Sequence, residues 1–236
     1  MITKNTLKEI HSLRLKKTRL AQQQFVVEGE KGVHAFLEAG FQAHYLLTTH
    51  AEKHPKADLI GVREMQRISQ LKNPSTFLGV FSIPAGRTIA NNGLVLMLDT
   101  VADPGNLGTL IRLCDWFGIT DIVCSLSTVD CYNAKVVQAT MGSLARVTCH
   151  YLDLVSFLNE DLRPVYGTFM VGKSIYATAL PKDAILVLGN EANGISQGLV
   201  TYITEKISIP KAKSEGPESL NVAIAGAIVL GVMSNS

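Results

Sequence analysis

Three short stretches hold the side chains best suited to chemistry: 103–118 (DPGNLGTLIRLCDWFG), 186–196 (LVLGNEANGIS) and 207–225 (ISIPKAKSEGPESLNVAIA). Each sets Gly, Asn, Glu or Ser at the carboxyl side of a short apolar run, where an open α/β sheet builds a ligand site. In the first, Asp103-Pro104-Gly105 turns the chain out of a strand and Asn106 stands at a helix-cap position. Leu107, Leu110, Ile111 and Cys114 then make an apolar face. Arg112 falls mid-helix between Ile111 and Leu113, and a guanidinium buried there needs an anionic partner or ligand. The second stretch is a glycine-rich turn from Gly189 to Gly194 that carries Glu191 and lets backbone approach a ligand closely. It fits no nucleotide fingerprint by spacing. In the third, Ser219 is suited to cap the last helix, and Asn221 brings into an apolar helix an amide that requires partners once buried. Taken singly, each stretch also reads as a capped helix or a tight strand-to-helix turn.

Strands must hold these loops. Leu94–Leu98 is a continuous apolar run of the kind a strand buried on both faces requires. Asp121–Cys124, Pro164–Phe169, Ile185–Leu188 and Ile207–Ile209 read as further strands with helical stretches between most of them, which predicts a parallel sheet with helices on both faces. Ahead of them Phe25–Val27, Tyr45–Leu47 and Gly79–Phe81 read as strands, and Lys31–Ala39 and Glu64–Leu71 as helices, giving a small α/β unit. Pro84-Ala85-Gly86 and Asn91-Asn92-Gly93 bracket a polar linker, so two domains are expected, 1–88 and 92–236.

The two parts differ in charge. Residues 1–90 hold 13 Lys and Arg against 7 Asp and Glu, a balance of +6, whereas the remainder carries −4; together these give the formal +2 of the 236-residue chain. Within the first twenty residues Lys4, Lys8, Arg14, Lys16, Lys17 and Arg19 face only Glu9. A mobile or helical basic arm that meets phosphates is expected, with Arg14, Lys16, Lys17 and Arg19 as its contacts to such a polyanion. The four cysteines form no CxxC pair and have no His at ligand spacing, which argues against a zinc site or disulfide framework. No signal-peptide pattern opens the chain, and the longest apolar stretch, Val222–Met233, is too short to span a bilayer. A soluble, cytoplasmic protein is the expectation.

In order, content and separation the three stretches resemble the signature motifs of the SpoU (TrmH-like) family of knotted RNA ribose 2'-O-methyltransferases. A fourth, DCYNAKVVQATMGSLARV (130–147), is similar to the family segment before the third strand, with Gln138 and Thr140 in place of the more usual basic residue and Ser. Lys211 and Ala223 also depart from the residues common at their positions. The resemblance implies an α/β fold: a parallel-sheet methyltransferase domain closed by a deep trefoil knot, preceded by a small α/β RNA-binding domain. It implies S-adenosylmethionine as methyl donor, no metal, and a homodimer whose site borrows Arg112 or RNA contacts from the second subunit. Asn106, Arg112, Glu191, Ser219 and Asn221 match the catalytic positions. Thr168, Leu188, Gly189, Asn190, Gly194, Ile209, Pro210 and Leu220 match those expected around the donor. The acceptor would be a ribose 2'-hydroxyl of ribosomal RNA, with transfer RNA second. The alternatives are a non-catalytic RNA-binding or ribosome-assembly protein on the same fold, and a nicotinamide-dependent enzyme, which the missing GxGxxG disfavours.

Overall fold

The structure, a computed structural model, describes residues 2–212 and 218–234. Most of the loop expected between Lys211 and Glu218 lies outside them. In chain order the first elements are α1 (Lys4–Ser12), α2 (Lys16–Gln22), β1 (Gln24–Glu28), α3 (Glu30–Glu38), β2 (Ala43–Thr48), β3 (Asp58–Leu59), α4 (Val62–Ile68) and β4 (Phe77–Ser82). There follow β5 (Leu94–Leu98), α5 (Pro104–Trp116), β6 (Asp121–Cys124), α6 (Ala134–Ala139), β7 (Thr148–Tyr151), α7 (Leu154–Glu160), β8 (Val165–Ser174), β9 (Ala184–Leu188), α8 (Gln197–Val200), β10 (Glu205–Ser208) and α9 (Val222–Ser234).

The chain divides into two compact units. The first comprises Met1–Gly86 with Asp130–Ala145, the second Arg87–Val129 with Arg146–Ser236. The first unit is a four-stranded sheet in the order β1-β4-β2-β3, with β4 antiparallel to both neighbours. One face packs Val26, Leu78 and Val80 against Leu7 and Ile10 of α1, Leu13 just beyond its end, and Met65 and Ile68 of α4. The other gathers the rings of Phe25, Phe36, Phe41 and Phe81. The basic arm is helical: α1 and α2 occupy it.

Sequence order puts residues 130–145 in the second domain, but their contacts put them in the first unit. The Tyr132 ring lies 4.6 Å from that of Phe25, and Asp130 pairs with Arg19. Arg19 is only 3% exposed and also donates to the carbonyls of Leu13 and Arg14 at 2.8 and 3.0 Å. A buried guanidinium needs such an anion, so the expectation of Arg19 as an RNA contact is corrected: it faces inward. Arg14, Lys16 and Lys17 are exposed.

The second unit holds a six-stranded, wholly parallel sheet in the order β10-β8-β9-β5-β6-β7. β6 and β9, both expected as strands, are buried along their whole length. Val95, Met97, Ile185 and Val187 face Leu154 and Leu158 of α7 and Leu199 of α8. On the opposite face α9 lies against α5, so closely that a Cβ on Gly226 would stand 2.8 Å from Leu110 and 3.1 Å from Leu188. Burial pushes the Cys114 thiol far above its ordinary range and keeps it a neutral filler on α5. β8 runs to Ser174, past the Phe169 expected, and its pairing with β10 jumps from Gly167 to Lys173. No helix among the described residues is long and apolar enough to cross a membrane.

Candidate active site

Because all six strands run the same way, their carboxyl ends form one edge of the sheet, and the loops leaving β5, β9 and β10 emerge there. The loop after β5 begins at Asp99, a carboxylate that is 5% exposed. Its backbone N–H donates to Leu188 at 2.9 Å, and its carboxylate accepts from the Ser196 N–H at 2.7 Å and the Thr100 hydroxyl at 3.0 Å. Thr100 adopts φ +60°, a left-handed conformation costly for a β-branched residue. In that pose its carbonyl accepts from Asn190 Nδ2 at 2.8 Å. Asp99 and Thr100 thereby tie the first loop to the glycine turn. Neither was singled out from the sequence, although a carboxylate closing a buried apolar run was the available signal.

The glycine turn is closed on itself. Asn190 and Gly194 exchange two 2.9 Å backbone hydrogen bonds, and Asn190 Oδ1 accepts from the N–H groups of Ala192 and Asn193. Gly189 is obligatory, since a Cβ there would lie 2.2 Å from the Gly194 carbonyl carbon. Glu191 is left exposed on this turn.

Helix α5 starts one turn earlier than Asn106 suggests. Asp103 is its N-cap and accepts from the Asn106 N–H at 2.8 Å, with Pro104 at the first helical position. This corrects the expectation of Asn106 as the cap and frees the Asn106 side chain. Its Nδ2 donates to Glu191 Oε1 at 2.8 Å, and its Oδ1 accepts from Asn221 Nδ2 at 2.9 Å. Asn221 Oδ1 in turn accepts from the N–H groups of Ala223 and Ile224 at 2.9 and 3.2 Å. Asn221, not Ser219, therefore caps α9, and it does so at an exposed position, not buried inside the helix.

One hydrogen-bonded line, Glu191–Asn106–Asn221, thus joins the three stretches. Glu191 Oε2 has no partner among the described residues, so the carboxylate can still accept from a ligand hydroxyl or face a cation. Ser219 and Leu220 stand exposed just before Asn221. Thr168 on β8 donates to the Val187 carbonyl at 3.3 Å, alongside Leu188 and Gly189. Ile209 and Pro210 follow β10 at the same edge.

Arg112 does not join this line. It is exposed, and among the described residues it forms no ion pair. Six residues along a helix carry it about 9 Å from Asn106 and roughly 120° around the axis. The expectation of a buried guanidinium is corrected: α5 buries Leu110, Ile111 and Cys114 and turns Arg112 to the surface.

The description "SpoU rRNA Methylase family" matches residues 93–231, and "MRM3-like substrate binding domain" matches residues 4–79. The chain is 27% identical over 235 residues to the 23S rRNA (guanosine(2553)-2'-O)-methyltransferase RlmP of Bacillus subtilis, covering 95% of this chain and 94% of that protein. Among solved structures it resembles a Porphyromonas gingivalis protein assigned to the TrmH family of RNA methyltransferases, with 39% identity, TM-score 0.89, and coverage of 99% and 98%. It also resembles an AdoMet-bound rRNA methyltransferase from Sinorhizobium meliloti, with 27% identity, TM-score 0.87, and coverage of 100% and 96%. The loops that meet at Asn106 lie wholly within the matched segment, and the chain belongs to the SpoU rRNA methylase family.

Proposed function

We propose that the chain transfers the methyl group of S-adenosylmethionine to a ribose 2'-hydroxyl of RNA, with ribosomal RNA as the preferred substrate and transfer RNA second. The observation that carries the reading is the Glu191–Asn106–Asn221 line, which joins the three motif loops through side-chain hydrogen bonds. The RlmP relative and the AdoMet-bound structure support the substrate and the donor.

The residues present suit the donor. Backbone groups of the turn from Gly189 to Gly194, the apolar Leu188, Ile209 and Leu220, and the Glu191 carboxylate offer a sulfonium cation polar backbone, apolar walls and a negative charge. When bound, S-adenosylmethionine supplies an electrophilic methyl group that needs no metal. The 2'-oxygen attacks the methyl carbon, the sulfur–methyl bond breaks to release S-adenosylhomocysteine, and the hydroxyl proton passes to solvent water; orienting the hydroxyl in line with the methyl group supplies much of the acceleration. Asn106, Glu191, Ser219 and Asn221 orient donor and ribose. Arg112 acts as a fixed cation with a planar fork of donors: it holds phosphate and stabilises the developing alkoxide. Its surface position suits a homodimer in which each Arg112 completes the partner's site. Arg14, Lys16 and Lys17 engage RNA phosphates from the first unit. The family's trefoil knot and a cytoplasmic location belong to the same reading.

The test is to incubate the protein with radiolabelled S-adenosylmethionine and ribosomal RNA from cells lacking the gene, then digest to nucleosides. Label should appear in one 2'-O-methylated nucleoside. Label in a methylated base would overturn the acceptor, and no transfer to any RNA would overturn the activity.

A further inference from the structure

The face of the first unit's sheet that α1 covers is apolar along most of its length. At one end that pattern fails. Gln24 on β1 pairs with Ser82 on β4 and shares its face. On β2 the register breaks between Ala43 and Tyr45, and the bulge re-aims His44 so that its Nε2 shares a 2.7 Å hydrogen bond with Ser82 Oγ. Tyr45 packs its ring on the core beside them. Gln24, His44 and Tyr45, with Glu9 and Ile10 of α1 and Gln22 of α2, line a cavity of about 210 Å³. That is smaller than the roughly 300–1,000 Å³ of pockets for drug-sized ligands, and it suits a single flat ring system. Among the described residues the Glu9 carboxylate, the Gln22 and Gln24 amides and the Tyr45 hydroxyl have no hydrogen-bond partner.

We propose that this cavity binds one unpaired guanine base of the RNA substrate. The proposal rests on the RNA reading above and assigns base selection to the first unit. Proteins read single-stranded RNA by stacking splayed bases on aromatic rings and hydrogen-bonding their edges. A carboxylate only accepts hydrogen bonds, so Glu9 matches a base edge with two adjacent N–H donors. Guanine has one, in N1–H and the N2 amino group. Adenine, cytosine and uracil each place an acceptor beside the donor on that edge. The amide NH₂ groups of Gln22 and Gln24 match guanine O6 and N7, and the Tyr45 ring offers a stacking surface. Lys8, Lys16 and Lys17, exposed on α1 and α2, supply cations for the flanking phosphates.

Fluorescence anisotropy with the intact protein and end-labelled UUUGUUU, UUUAUUU, UUUCUUU and UUUUUUU tests this. The guanine oligonucleotide should bind about tenfold tighter or better, as expected for a charge-assisted donor pair. Glu9→Gln changes an exposed position, and its thermal melt should match the parent; its preference for guanine should fall by about tenfold. Equal binding of the four by the parent, a guanine preference undiminished in Glu9→Gln, or no binding of any oligonucleotide overturns the proposal. Ribose methylation measured on the same preparation separates the two claims. Methyl transfer without guanine preference removes only the pocket, whereas guanine preference without methyl transfer removes only the enzymatic reading.

Discussion

The two ends of the six-stranded sheet both carry polar clusters, and they are built in opposite ways. At the amino ends, Asp121 opens β6 at 2% exposure. It accepts from the Thr120 hydroxyl at 2.8 Å, meets His150 at 2.6 Å and pairs with Arg87 at 2.9 Å. Arg87 also donates to Thr148 Oγ1 and the Thr120 carbonyl. At the carboxyl ends, Glu191 and Asn221 are exposed and Asn106 is half-buried, and their line stops at a carboxylate oxygen with room for another donor. A cluster that closes on itself holds a fold together. One that stays open at a surface is available to a ligand.

The comparison breaks first if the open end proves dispensable. Glu191→Ala should lower methyl transfer about 10²–10³-fold, the range for losing one preorganised group, while the urea midpoint stays at the parent's value. Turnover assays with paired denaturation curves check this. Arg112→Ala should cut turnover by about 100-fold with no loss of stability, since the residue is exposed and forms no ion pair among the described residues. Mixing that variant with Glu191→Ala should restore part of the activity if Arg112 serves the partner's site; no recovery would place its action within its own chain.

The closed end should respond the other way. Asp121→Asn should cost about 1–3 kcal/mol of unfolding free energy and leave turnover of the folded protein unchanged. Burial pushes the Asp121 carboxyl up, but Thr120, His150 and Arg87 together more than reverse this and hold it below the ordinary carboxylate range. Its stabilising share is therefore fully present above that range and is lost as pH falls through the depressed folded value. Urea unfolding from pH 7 into the acid range should show this loss in the parent, and less of it in Asp121→Asn. Smallest of all, Gly226→Ala should cost about 1 kcal/mol, because the new methyl meets flexible ends of Leu110 and Leu188 rather than backbone.

The sheet's buried centre was legible because β5 and β9 are unbroken apolar runs. β7 was not: Thr148–Tyr151 is half-buried throughout and carries no such run. The site's residue types were readable, but their geometry was less so. Asp103 rather than Asn106 caps α5, as an Asp immediately before Pro allows, and a shift of three residues decides which side chain is free. Similarly, Asn221 displaces Ser219 as the cap of α9. The bonds that define the site link residues 85 and 115 positions apart, which no local periodicity encodes. Arg19 and the stretch 130–145 went astray for a related reason: the buried ion pair that unites them spans 111 positions.

The most direct measurement is calorimetric titration of S-adenosylmethionine into the protein and into Gly189→Ala, whose added Cβ would lie 2.2 Å from the Gly194 backbone and force the turn open. The account predicts one donor bound per parent chain and affinity at least about tenfold weaker in the variant. No heat with the parent, or equal affinity in both proteins, would contradict it.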